Sequence, residues 1–328
     1  MNALASRPLK SLTGTVLICG GMVAAWAQDY PTKPIRLISA HAAGGGADQL
    51  SRIVSAEIMK TLPVPVVVEN RPGASTMIAA EYVANAAPDG YTLLMATVTT
   101  LSINPSLFSK IRYDAVKDFA PVTVVASTPF FLGTHPSLPV KSVRDLIDLA
   151  KRKPGMLNVG SSGNGTSSHL AGELFNDMAG IRTTHVPYKA TATRAVDLVS
   201  GMIQVAFAND ILPFAQAGRV RILGVTSSRR LSGYPQIPTV AEAGGLPGYE
   251  ASVWYGLVAP ARTPAPIVNK WYEGVKTALS DAELKQRIMT ILGGEVVANS
   301  PAEFAAQIRA DLGKWAQVIK RSNVKVDQ

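Results

Sequence analysis

The sequence predicts an α/β protein of two domains, and three observations point that way. The chain has 328 residues, more than one ordinary domain holds. Short β-branched runs alternate with amphipathic helical stretches, the pattern that gives strands covered by helices on both faces. One arrangement, a strand, then a glycine-rich loop, then a helix, occurs twice about 120 residues apart.

Ile35–Ser39, Val64–Glu69 and Tyr91–Ala96 read as buried strands. Between the first two, Asp48–Lys60 places Leu50, Ile53, Val54, Ile58 and Met59 on one helical face. Strand–helix–strand order of this kind predicts a parallel sheet. A second set begins near residue 128. Ser142 caps a helix carrying Val143, Leu146, Ile147 and Ala150, and Leu157–Gly160 is a strand. Ser167–Met178 is helical, and Ile203–Phe207 and Val220–Val225 are strands on either side of a loop containing Asn209 and Pro213. The last hundred residues are mostly helical. Thr263-Pro264 reads as an N-cap followed by proline at the first helical position. Ser300 and Glu303 form a capping box opening a helix with Phe304, Ile308, Trp315 and Ile319, and Gly293-Gly294 ends the helix before it.

The first 27 residues read as a secretory leader rather than as part of the fold. Arg7 and Lys10 give a positive start, Leu12–Trp26 is small and apolar, and Ala25-Trp26-Ala27 fits a cleavage site before Gln28. The apolar run is short for a membrane span, and no second run of about 20 apolar residues occurs. Cys19 lies inside the leader behind Ile18, where a lipid anchor calls for a small residue. Cleavage leaves a chain without cysteine, which suits an oxidising periplasm and excludes a disulfide, a thiolate nucleophile and a cysteine-ligated metal. The net charge of +9 falls to +7 with the leader's two basic residues gone, a field that favours anionic ligands or simply solubility. Basic residues are scattered with no aromatic-interleaved stripe, so no nucleic-acid partner is expected.

The two glycine loops are Gly44-Gly45-Gly46-Ala47-Asp48 and Ser161-Ser162-Gly163-Asn164-Gly165-Thr166. Glycine lets backbone approach a ligand, and the helix that follows points free N–H groups at the same spot, which suits a carboxylate or phosphate. Tight strand–helix turns also need glycine for geometry alone. Two such loops in separate domains favour a cleft closing on an anion. Neither loop is G-x-G-x-x-G or a P-loop, and no G-x-S-x-G elbow surrounds Ser161 or Ser162, so no cofactor is expected. His169 and Glu173 are four apart on a helix, but no further histidine completes a metal set. His41, His135 and His185 are isolated; His41 stands out because it lies three residues before the glycines.

Beyond these patterns, ordered segments resemble the tripartite tricarboxylate transporter solute receptors, also called Bug proteins. They are Tyr30–Arg36 with Gly44–Asp48, Val68–Gly73, Pro88–Leu94, Asn104-Pro105, Asp118–Val122, His185–Lys189, Pro238–Gly244 and Pro247–Glu250. Together they run across nearly the whole chain after the leader. The resemblance implies a type II periplasmic binding-protein fold: two lobes of parallel-type sheet with flanking helices and a central cleft. Residues 28–127 and 227–328 would form one lobe and 128–226 the inserted one, with crossovers near Thr128 and Thr226. It implies a periplasmic receptor, not an enzyme, that takes a small mono-, di- or tricarboxylate, aromatic acids included. Its partners would be membrane permease subunits of a tripartite transporter, and a monomer is expected. A sensor kinase as partner, or a secreted α/β enzyme acting on a small acid, are the alternatives.

Carried over residue by residue, the first-lobe site is His41, Gly44, Gly45, Gly46 and Asp48, with Thr97 and Thr99 after the third strand. The second-lobe site is Ser161, Ser162, Gly165, Thr166 and His169, then Lys189 to Thr191 including Ala190, and Asn209-Asp210. N–H groups of Gly45, Gly46, Gly165 and Thr166 and hydroxyls of Thr97, Ser161 and Thr166 would satisfy the anion. Asp48 is open between accepting from a ligand and capping its helix. Arg71 reads as a turn-fixing residue. The chain departs from the family pattern in three places. His41 stands in a segment that is often Pro-Phe-Pro-Pro, Ala74-Ser75-Thr76 replaces Ala-Gly-Gly, and Ala190 replaces glycine. A histidine in place of an aromatic wall implies a more polar pocket or recognition of a second acidic group.

Overall fold

The alternating pattern folds into two mixed sheets with flanking helices in the computed structural model, which describes residues 30–188 and 190–326. The expected leader, with Cys19 and the Ala27-Gln28 junction, lies outside the described residues, as does Lys189.

Strand β1 (Ile35–Ser39) has the predicted bounds, and Ile35, Leu37 and Ile38 are fully buried. Helix α1 (Gly46–Ile58) starts two residues before the predicted Asp48, with Gly45 as its N-cap. Strand β2 (Val66–Asn70), helix α2 (Met77–Ala84), strand β3 (Thr92–Thr97) and the short helix α3 (Asn104–Leu107) follow. Strand β4 (Phe119–Pro129) then passes through Phe130 directly into β5 (Phe131–Thr134). Helix α4 (Val143–Arg152) opens with a capping box formed by Ser142 and Asp145. The chain continues through β6 (Asn158–Ser161), α5 (Ser167–Ala179), β7 (Thr184–Pro187), α6 (Thr191–Ser200), β8 (Val205–Ala208), α7 (Leu212–Gln216), β9 (Arg221–Val225) and α8 (Val240–Gly244). It returns along β10 (Ser252–Pro260), α9 (Ala265–Ala278), α10 (Ala282–Leu292), β11 (Glu295–Val296) and α11 (Pro301–Arg321), the last opened by the Ser300/Glu303 capping box. Pro264, not Thr263, is the N-cap of α9; the Thr263 hydroxyl donates to Pro260 O at 2.7 Å instead.

The first sheet has strand order β11-β4-β10-β3-β1-β2 and the second β7-β6-β8-β5-β9. Parallel pairing is confined to the helix-linked trios β2-β1-β3 and β7-β6-β8. Strand β10 runs against β3 and β4, β11 runs against β4, and β5 runs against β8 and β9. The expectation of parallel sheets is corrected to this extent. A parallel neighbour needs a long crossover connection, and a strand passing straight from one sheet to the next has none.

Both passages between the sheets meet at Thr226, which is fully buried. Its N–H donates to Phe130 O at 2.9 Å, and its hydroxyl accepts from Phe130 N–H at 2.7 Å. The same hydroxyl donates to Ala251 O at 2.5 Å, and Ala251 N–H returns a bond to Thr226 O at 3.0 Å. Between Thr226 and Ala251 the chain stays with the second sheet. Leu231 packs into the apolar cluster around Phe131, Leu198 and Ile203, and α8 packs on α4 and β9. The chain rejoins the first sheet at Ser252.

Replacing Thr226 with valine keeps the shape but leaves Phe130 N–H and Ala251 O without this partner. The expected loss is about 3 kcal/mol, read as a lower urea midpoint at unchanged slope. A loss under about 0.5 kcal/mol would show that the hydroxyl does not hold the crossings.

Candidate functional site

The first glycine loop is held by one carboxylate. Asp48 is 2 % exposed, and its oxygens accept from Gly44 N–H at 2.9 Å, Asn70 Nδ2 at 2.8 Å and Arg52 Nε at 3.1 Å. Burial alone raises the Asp48 pKa, but the bonds from Arg52, Gly44 and Asn70 outweigh it and hold the carboxyl below its ordinary value. Asn70 also donates to His41 O at 2.9 Å, tying the end of β2 to the loop. Asp48 thus clasps the loop, holding Gly44, Arg52 and Asn70 around one carboxylate. Arg71 pairs with Glu69 and lies 3.6 Å from the Tyr82 ring centroid, a turn-fixing position.

His41 Nδ1 accepts from Ala47 N–H at 3.4 Å, and burial pushes its pKa down. A neutral imidazole accepting at Nδ1 carries its proton on Nε2. The edge of its ring faces Tyr255 of β10, with ring centroids 6.3 Å apart. Burial pushes the Tyr255 phenol up to about 12, so it stays protonated. That hydroxyl sits so close to Gly46 that a Cβ there would lie 2.5 Å from it.

The second loop is tied inward by two stacked imidazoles. His169 Nδ1 accepts from Gly165 N–H at 3.1 Å, and its Nε2 lies 3.7 Å from Glu173 Oε1. His185 stacks on it with centroids 3.6 Å apart and places Nε2 2.6 Å from Ser161 Oγ. Thr166 caps α5, its hydroxyl accepting from His169 N–H at 3.4 Å and donating to Gly163 O at 2.8 Å.

A cavity of about 260 Å³ lies where the two loops meet. The first sheet supplies His41, Ser75, Thr97, Thr99, Leu107, Phe108, Val253 and Tyr255. The second supplies Ser162, Asn164, Gly165, Thr166 and Ser167, and Val326, beyond the end of α11, closes one side. None of these is an acid, a lysine or an arginine, so among the described residues an anion here meets neutral donors and the N-terminus of α5. Larger hollows of about 550 and 870 Å³ lie against β4 and β10 and along the β1–α2 edge; both are lined in part by charged side chains and neither touches a glycine loop. Among the described residues no three of His, Cys, Asp and Glu converge to hold a metal ion.

Of the residues singled out in the sequence, the cavity brings together His41, Thr97, Thr99, Ser162, Gly165 and Thr166. Gly44, Gly45, Gly46, Asp48, Ser161, His169, Ala190, Asn209 and Asp210 are not on its wall. Gly45 N–H is spent on Ala42 O, Gly165 N–H on His169 and Thr166 N–H on Gly163 O. The hydroxyls of Thr97 and Ser161 are likewise engaged, with Thr100 and His185. Asp210 pairs with the buried Arg194 at 2.5 Å, Asn209 Oδ1 is buried among described residues without a partner, and Ala190 is the N-cap of α6. The sequence reading did not single out Tyr255, Val253, Ser75, Leu107, Phe108, Ser167 and Val326, which also line the cavity. Tyr255 and Val253 lie on β10, far along the chain from either loop, and carry no local motif. Asn164 was legible inside the second loop.

Backbone strain is concentrated beside this cavity. Ala74, Ser75 and Thr76 have φ of 43°, 51° and 77°, directly after Gly73 at 123°. Left-handed backbone costs L-residues roughly 1–2 kcal/mol each. Three bonds hold the turn: Thr76 N–H to Gly73 O at 2.9 Å, Asn104 Nδ2 to Ser75 O at 2.6 Å, and Thr76 Oγ1 with Thr100 Oγ1 at 2.9 Å.

Two helix-flanked sheets, joined by paired strand crossings around a small polar cleft, define a type II periplasmic binding-protein fold, the architecture of two-lobed solute receptors. The family model described as "Tripartite tricarboxylate transporter family receptor" matches residues 50–324, and the chain belongs to that family. Protein BugT of Bordetella pertussis is 30 % identical over 322 residues, covering 97 % of this chain and 98 % of BugT. The structure of R. palustris Rpa4515 with adipate is 35 % identical with a TM-score of 0.75, covering 90 % of this chain and 99 % of that one. MatC from Rhodopseudomonas palustris with bound malate is 31 % identical with a TM-score of 0.70, covering 88 % of this chain and all of that one.

The histidine stack makes the protein sensitive to acid. Burial, with His169 beside it and Glu173 opposing, lowers the His185 pKa to about 4. The unfolded chain, with histidine near 6.5, takes up that proton first, so stability is lost as pH falls from about 6.5 to 4. His41, also lowered, adds to the loss. Glu173, held below its ordinary value against burial by His169 and Ser322, adds a further loss below 4.5. His185→Gln should flatten the urea-midpoint profile between pH 7 and 4.5 relative to wild type; an unchanged profile would remove His185 from this role.

Proposed function

We propose that this protein is an exported receptor that closes two lobes around a small organic dicarboxylate and delivers it to a tripartite membrane permease, with no chemistry of its own. The observation that carries the reading is the cavity beside the glycine loops, where neutral donors and the N-terminus of α5 converge on a volume of about 260 Å³. That lies below the roughly 300–1,000 Å³ of sites for drug-sized ligands. Adipate in Rpa4515 and malate in MatC are both short dicarboxylates, which supports the same ligand class here.

In this reading residues 30–129 and 252–326 form one lobe and 131–246 the other, with Phe130 and Ala251 as hinge. His41 Nε2–H and Tyr255 O–H serve one carboxylate. Asn164, Thr166, Ser167 and the first amides of α5 serve the other. Ligand bound to both poles favours the closed state, since each lobe alone supplies half the donors. Residues 1–27 act as the export leader, and the mature monomer works in the periplasm. No helix among the described residues is long and apolar enough to cross a membrane, so docking on permease subunits supplies the passage.

A thermal-shift panel of mono-, di- and tricarboxylates and aromatic acids tests the class. An acid at a hundred times its Kd stabilises by about 2.7 kcal/mol. A shift largest with malate, succinate or adipate is expected, and no shift with any acid on mass-spectrometrically ligand-free protein would overturn the function. Gly165→Val tests the site. Gly165 has φ of +69°, and a Cβ there would lie 2.5 Å from Leu107 Cδ2 and 2.8 Å from Val326 Cγ1, both contributed from beyond the second lobe. Calorimetric affinity for the best acid should fall at least tenfold, about 1.4 kcal/mol. A companion Gly46→Val, whose side chain meets the Tyr255 hydroxyl, should fall similarly; unchanged affinity in both would sink the site.

A further inference from the structure

The left-handed turn at residues 73–76 poses a question that its packing answers for only part of its length. Ala74, Ser75 and Thr76 all adopt a backbone that glycine enters freely and L-residues avoid. Thr76 has a visible reason to be threonine. It is 8 % exposed, and its hydroxyl bonds Thr100 Oγ1, which in turn meets Thr97 Oγ1 at 3.2 Å and accepts from Thr97 N–H at 3.2 Å. That chain of hydroxyls ties the turn to the end of β3. Ser75 has no such reason. Its carbonyl is held by Asn104, which a glycine would satisfy equally, and its own hydroxyl makes no hydrogen bond among the described residues. Ser75 does lie on the cavity wall, beside His41, Thr97, Thr99 and Tyr255.

We infer that Ser75 is a ligand-contacting, specificity-determining residue whose hydroxyl donates to an oxygen of the bound acid at the first-lobe end of the cleft. The inference rests on the carboxylate-receptor reading above. Strained positions persist where the surroundings over-determine them, and they cluster at ligand clamps. Here Asn104 and the threonine chain hold the backbone, and the strain presents a hydroxyl that glycine at the same position cannot supply. Among the described residues no charged side chain lies on the cavity wall, so each neutral donor carries a large share of the anion's solvation. His41 and Tyr255 contribute one donor each; Ser75 adds a donor from a third element, the β2–α2 turn, which fixes the direction of the ligand as well as its charge.

Strain and hydroxyl are separable by two substitutions. Ser75→Ala removes the hydroxyl and keeps a Cβ on the left-handed backbone. Ser75→Gly removes both. Each variant and the wild type are titrated by calorimetry with malate and with adipate, and melted without ligand. Both variants should bind about tenfold more weakly, as expected for one lost hydrogen bond to a charged group. Only S75G should melt higher, by about 2 °C, because only it relieves the backbone. Wild-type affinity in S75A would overturn the assignment of Ser75 while leaving the receptor function intact. An S75G variant that melts no higher than S75A would overturn the claim that strain is spent on the hydroxyl. Wild-type protein that binds neither acid would instead overturn the function on which the inference rests.

Discussion

Thr226 sits where the two passages between the sheets meet, and the rest of the molecule is arranged around that point. A single buried hydroxyl accepts from Phe130 and donates to Ala251, so the outgoing and returning chains are bonded to each other through it. Each passage is a nearly bare strand end, Pro129 to Phe131 on one side and Ala251-Ser252 on the other. Helix-linked parallel trios on either side then point their carboxyl ends, and hence their loops, toward a shared cleft. Without paired crossings the two glycine loops would be similar motifs about 120 residues apart in the chain, with nothing to bring them face to face.

Each loop also needs an internal clasp, and the two lobes solve this differently. In the first, Asp48 gathers Gly44, Asn70 and Arg52 around a buried carboxylate. In the second, stacked His169 and His185 hold Gly165 and Ser161. The first clasp is a permanent charge that arginine pairing keeps ionised. The second is a stacked imidazole pair in which burial holds the His185 pKa down at about 4, so the second loop carries an acid-sensitive group. In both cases the side chains that look most like ligands in the sequence are spent holding backbone, and less conspicuous neighbours form the wall.

The apolar frame is shared between the lobes and the C-terminal helix. Helix α11 covers β4 with Phe304 and Trp315, while the Trp254 indole of β10 donates to Asp311 on the same helix at 2.8 Å. Gly256 lies under the Phe304 ring, where a Cβ would come within 2.2 Å of it, so β10 needs glycine for this close approach. The same helix reaches the second lobe through Arg321 and Asp177 at 2.8 Å and leads to Val326 at the cleft. Val326 thus joins the cavity wall beside Gly165 of the second glycine loop.

Local pattern was enough for β1, α1, the capped starts of α4 and α11, the strand–glycine–helix units and the family, because periodicity, caps and turn glycines act over a few residues. The same is true of half the cavity wall: His41, Thr97, Thr99, Ser162, Asn164, Gly165 and Thr166 lie in or next to motifs. Tertiary structure alone decided the antiparallel placement of β5 and β10 and the entry of Tyr255, Ser75 and Val326 into the cavity wall. It also decided that Asp48, Ser161 and His169 hold loops instead of facing the cavity. These depend on which strand ends lie side by side and which polar atoms find partners across the fold. Such pairings join residues tens to hundreds of positions apart and leave no periodic trace in the chain.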